Sequence, residues 1–82
     1  MSNDKLREAV GTHVAKLLKA EREKQKLSLK ALAEKAGLAR QTITFIEQEV
    51  QSPSFDTMLR IASALNVDLA KVIARAQKQA SK

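Results

Sequence analysis

The 82-residue chain contains no cysteine, no tryptophan and no tyrosine, and only one proline, one histidine and two glycines. Without cysteine there is no disulfide framework, no thiolate nucleophile and no sulfur-ligated metal, and His13 alone cannot build a multi-histidine metal site. Long apolar runs are also missing: the longest, such as Ala31 to Ala33 and Val72 to Ala74, are three residues, far short of a signal-peptide core or a membrane span. The expected location is therefore the cytoplasm. A chain of this length forms a single domain, residues 1–82, with too little buried surface for a large catalytic cleft. The acidic pairs Glu21 with Glu23 and Glu47 with Glu49 are two residues apart and point to different sides of a helix, which does not suit paired-carboxylate chemistry. No catalytic residue, metal or cofactor is expected.

What the chain has in excess is positive charge. Fifteen Lys and Arg against nine Asp and Glu give +6, a surplus that suggests an anionic partner, either nucleic acid or a membrane surface. The surplus sits at the two ends. Residues 1–27 carry seven basic and four acidic groups, residues 28–50 three of each, and residues 51–82 five and two.

The scarcity of Gly and Pro and the abundance of Ala, Leu, Lys, Glu and Gln predict an all-α fold. Five segments have helical periodicity. The first runs from about Asp4, a possible N-cap, to about Lys24, with Leu6, Val10, Val14, Leu17 and Leu18 as its apolar positions and Gly11 as a weak point. The second opens at Ser28 and stops at Gly37, suited respectively to an N-cap and a left-handed C-cap. A third covers Arg40 to Gln48, with Ile43 and Ile46 on one face and Arg40, Gln41, Thr44, Phe45 and Gln48 largely on others. Beyond the loop holding Pro53, Ser54 caps a fourth helix bearing Phe55, Met58, Leu59, Ile61, Ala62 and Leu65, which Asn66 closes. Asp68 caps the fifth, whose stripe is Leu69, Val72, Ile73 and Ala76. Residues 77–82 lack an apolar anchor and are expected to fray.

Two short helices joined by a glycine-containing turn, residues 28–48, have the pattern of a helix-turn-helix, whose second helix enters the DNA major groove. Ala33 allows close approach, Gly37 reverses the chain, and Ile43 and Ile46 anchor the second helix. The groove is read by side chains with paired donors and acceptors, such as Arg on guanine and Gln on adenine. Arg40 and Gln41 are placed for that task.

The stretch from Leu27 to Leu38, with Thr42 to Glu47, Ser52-Pro53-Ser54 and Ile61 to Leu65, resembles the Cro and phage-repressor type of helix-turn-helix, the XRE family, over roughly residues 13–74. The resemblance implies a five-helix, lambda-repressor-like DNA-binding domain, here with an extended first helix through residues 1–12. It implies a homodimer on double-stranded DNA carrying a palindromic operator, and hence a transcriptional repressor or activator. Carried over residue by residue, it assigns base contacts to Arg40, Gln41, Thr44 and Phe45, and phosphate contacts to Ser28, Thr42, Gln48 and Ser54. It also implies a structural ion pair between Arg22 and Glu47. The stripe Leu69, Val72, Ile73 and Ala76 is expected to be shared between core and dimer interface.

Some positions depart from the family pattern. Ala39 stands where a Ser or Thr cap is frequent, Leu29 where a backbone-contacting Gln is frequent, and Glu49, Val50 and Gln51 where Gly and basic residues are common. These departures, with the neutral centre, leave a second reading open, in which Phe45, Val50, Leu6 and Val10 hold a partner protein on a helix-turn-helix scaffold. A basic helix lying on a membrane accounts for the terminal charge and leaves the central motif unexplained. No small-molecule effector pocket is evident.

Overall fold

A computed structural model describes residues 3–81; Met1, Ser2 and Lys82, parts of the expected N-terminal extension and tail, lie outside the described residues. Among the described residues the chain forms five helices and no strands: α1 (Asn3–Lys24), α2 (Leu29–Ala36), α3 (Arg40–Glu47), α4 (Phe55–Ala64) and α5 (Leu69–Ala80). None of these helices is long and apolar enough to cross a membrane.

Start signals act where short polar side chains replace the missing backbone partner of a first-turn amide. Ser28 Oγ accepts from the amide of Ala31 at 3.0 Å, Ser54 Oγ from Thr57 at 3.1 Å, and Asp68 Oδ1 from Ala70 at 2.9 Å. Asp4 behaves differently from the sequence expectation. It lies inside the first turn of α1, where its carboxylate favours the positive end of the helix dipole and pairs with Arg7.

The helix stops share one design. In each of α1 to α4 a residue with positive φ follows the helix, and the amide of the next residue reaches back to a carbonyl five residues earlier: Leu27 to Arg22, Leu38 to Ala33, Val50 to Phe45 and Val67 to Ala62. This is the Schellman stop, which satisfies carbonyls the helix end would otherwise leave bare. The left-handed positions are Lys26, Gly37, Glu49 and Asn66. Only Gly37 and Asn66 announce themselves in the sequence.

The core joins Val14, Ala15 and Leu18 of α1 with Leu32 and Ala33 of α2, Ile43 and Ile46 of α3, Ile61 of α4, Leu65 just beyond it, and Ala76 of α5. Each large apolar side chain buried there contributes about 1.5–3 kcal/mol. No side chain nitrogen or oxygen buried in the described part lacks a hydrogen-bond partner. α5 folds back along α1, and α2 packs on both α3 and α4.

Leu69 is 7% and Ala76 0% exposed, so these two positions of the α5 stripe serve the core, while Val72 and Ile73 are partly buried against it. Of the apolar residues of α4, Phe55 and Leu59 face outward, while Met58, Ile61 and Ala62, with Leu65 just beyond, line its inward side. Gln77 to Ala80, placed in a frayed tail, continue α5 as helix, with the Ser81 hydroxyl donating to the Gln77 carbonyl at 2.8 Å.

Candidate nucleic-acid interface

The α2–turn–α3 unit is built around Gly37. Its φ of 69° is in the left-handed region, and a Cβ there would stand 3.4 Å from the Arg60 guanidinium, so an L side chain would be strained chiefly by the backbone. The chain reverses through Leu38 and enters α3 at Ala39, whose extended backbone suits an N-cap but whose methyl offers no hydrogen bond.

Within α3, Ile43 and Ile46 are buried and three residues apart, so one face is fixed to the core. The opposite edge holds Arg40 and Gln41, both exposed, with Thr44 and Phe45 half-buried beside them. The four side chains assigned to bases therefore lie along one accessible edge of one short helix. The Thr44 hydroxyl donates to the Arg40 carbonyl at 3.1 Å. With its proton engaged there, the oxygen is left as an acceptor, able to take a bond from a base amino group, while the methyl remains apolar.

The residues assigned to phosphates are more scattered. Ser28 and Ser54 are exposed N-caps, Gln48 is exposed as the residue closing α3, and Thr42 is half-buried. The Ser54 hydroxyl also donates to Thr57 Oγ1 at 2.9 Å. The caps at Ser28 and Ser54 mark helix N-termini, whose leftover amides and dipole favour an anion.

Arg22 holds α3 in place. Its Nε meets Glu47 Oε2 at 2.7 Å and its Nη2 meets Glu47 Oε1 at 2.9 Å, while Nη1 donates to the Leu27 carbonyl at 2.7 Å. The two side chains are 12% and 10% exposed. One guanidinium thus joins α1, the turn after it and the last residue of α3. The hydrogen bond to Glu47 raises the Arg22 pKa above the ordinary arginine value; burial opposes this, and attraction to Glu47 and Glu23 adds to it.

One positioning residue escaped the reading of the sequence. Gln25 Nε2 donates to the Leu65 carbonyl at 2.6 Å and to Glu21 Oε2 at 2.9 Å, tying the end of α1 to the end of α4. No local signal marks it, because its partner lies forty residues away. Val50 follows α3 and stands 70% exposed, whereas the equivalent residues Leu27, Leu38 and Val67 after the other stops pack on the core.

Residues 18–72 match the helix-turn-helix family. The chain is similar to the immunity repressor protein of Bacillus phage phi105, with 35% identity over 60 residues, covering 73% of this chain and 42% of that protein. This chain therefore aligns with less than half the length of that relative. No solved structure matches it. With the match over residues 18–72 and the similarity to a phage repressor, the chain belongs to the helix-turn-helix family of the Cro and phage-repressor type.

Proposed function

We propose that the chain is a sequence-specific double-stranded DNA-binding regulator of transcription, acting as a homodimer on a palindromic operator and without catalytic activity of its own. The observation that carries this is the exposed edge of Arg40 and Gln41 on a helix whose other face is locked by Ile43, Ile46 and the Arg22–Glu47 pair. Such a helix fits the major groove, and its first-turn side chains reach base edges without the backbone having to reorganise. Ser28, Thr42, Gln48 and Ser54 are assigned to the flanking phosphates, with Thr44 and Phe45 completing the base contacts. Similarity to a phage immunity repressor supports a role in transcription.

Selection of bound sequences from random duplexes tests the proposal. The expected result is a two-fold symmetric consensus with half-sites about 34 Å apart, one helical turn. Arg40→Ala and Gln41→Ala should each cost roughly 1–3 kcal/mol on the selected operator and relax preference at one base position. Equal losses on operator and random DNA would count against base reading by these residues.

The exposure of Val50 and Leu6 favours one other reading, a module that holds a protein partner. A titration against salt separates the two. Contact with several phosphates gives a steep fall in affinity as salt rises, and no duplex binding at low salt would support the protein-binding role.

A further inference from the structure

Helix α4 turns two large apolar side chains outward: Phe55 is 62% and Leu59 44% exposed. Four residues apart, they lie on successive turns of one face. Leu59 stands between two shallow hollows, one edged by Lys35, Ala36 and Arg60 on the α2 side, the other by Ala62, Val67 and Leu69 on the α5 side. Leu59 is thus a projection with a recess on either side, and Phe55, one turn earlier, is an open apolar surface.

The charges beside these two residues say which occupant fits. Asp56 and Arg60, each following one of the apolar residues, bond to each other at 2.8 Å while 74% and 50% exposed. Apolar–acid followed one turn later by apolar–base becomes self-complementary when the helix is reversed. Consider two copies of α4 running antiparallel, related by a dyad perpendicular to them at the level between Thr57 and Met58. Phe55 of one copy then lies within about 1.5 Å, one residue's rise, of the level of the partner's Leu59. Asp56 lies equally close to the level of the partner's Arg60. The dyad keeps both residues on the same flank, so two acid–base contacts form in each pair with their charges still in water. An isologous contact of this kind closes on itself and gives a dimer rather than a chain.

We infer that the Phe55–Leu59 face of α4, flanked by Asp56 and Arg60, is the surface through which two copies of this chain associate. The inference rests on the homodimeric reading given above and places the contact on α4, Leu69 and Ala76 of α5 being buried inside the protomer.

Sedimentation equilibrium of the intact chain at low salt tests it, with circular dichroism confirming that each variant is folded. The wild type is expected to dimerise reversibly, and Leu59→Ser to weaken association about tenfold or more. Asp56→Arg and Arg60→Asp should each weaken it about tenfold, and an equimolar mixture of these two should associate more tightly than either alone. Both variants lose the bond within α4, which mixing cannot restore, so recovery in the mixture reports a contact between chains. A mixture no tighter than its components, or a wild type monomeric at its highest soluble concentration, overturns the inference. Operator selection separates this failure from failure of the DNA reading. A non-dimerising chain that still selects a single half-site removes the α4 contact and the homodimer and leaves base reading by α3 standing; a chain that dimerises with the expected rescue and binds no duplex supports that contact and removes only the DNA reading.

Discussion

Glu49 sits at φ 61° just after α3, in a region that costs an L residue roughly 1–2 kcal/mol and glycine nothing. Glu49→Gly should therefore raise stability by about 1 kcal/mol in urea denaturation, the gain in backbone comfort being partly offset by a more flexible unfolded chain. Glu47, two residues earlier, works in the opposite sense. Its carboxylate is the main partner of a nearly buried guanidinium, and Glu47→Ala would leave Arg22 charged, shielded from water and bonded only to the Leu27 carbonyl. The expected loss is up to about 3 kcal/mol, the low end for a buried pair because this one is partly exposed, still a sizeable share of the stability of a small domain and measurable in the same denaturation series. The assignment of Arg22 to Glu47 was legible in the sequence only through family resemblance, since nothing local links residues 25 positions apart. The left-handed stops at Lys26 and Glu49 were not legible, because neither residue type favours that conformation; the surrounding structure imposes it.

At the scale of elements, the start of α3 is its weakest feature. Ala39 has the extended backbone of an N-cap, φ −73° and ψ 143°, without a side chain able to accept from a first-turn amide. Ala39→Ser places a hydroxyl there with no change of backbone and should add about 1 kcal/mol to the unfolding free energy. On the DNA reading it also adds a donor at the groove edge, so operator affinity should rise together with melting temperature; a rise in stability alone would show that Ala39 does not face phosphate. Helix boundaries were readable wherever a side chain does the capping, as at Ser28, Ser54 and Asp68. The destination of an apolar stripe was not readable. Leu69, Val72, Ile73 and Ala76 read as one stripe, yet Leu69 and Ala76 are buried and Val72 and Ile73 only partly; Phe55 and Leu59 read alongside Ile61 and Leu65, yet face outward. Periodicity shows that a helix has an apolar side and is silent on which molecule covers it, a question settled by how the helices pack.

For the molecule as a whole, α1 is unequal along its length. Its first residues, Asp4 to Glu8, are exposed, with Leu6 half in water, whereas Arg22 and Gln25, one turn apart at its far end, hold the ends of α3 and α4 through Glu47 and the Leu65 carbonyl. Opening the far end requires two other helices to let go; the near end, although more exposed, still lies beside α5 and carries the Asp4–Arg7 pair. Native-state hydrogen exchange should consequently show a gradient within this one helix, with amides near Arg7 exchanging through local fraying and those near Leu18 and Glu21 only through global unfolding. Uniform protection from end to end would contradict this account. The consequence is a division of labour along a single rod. Its latter half is a keystone that ties the ends of α3 and α4 together, and its more exposed opening turns lie apart from that joint, so that substitutions there should leave the placing of α3 unchanged.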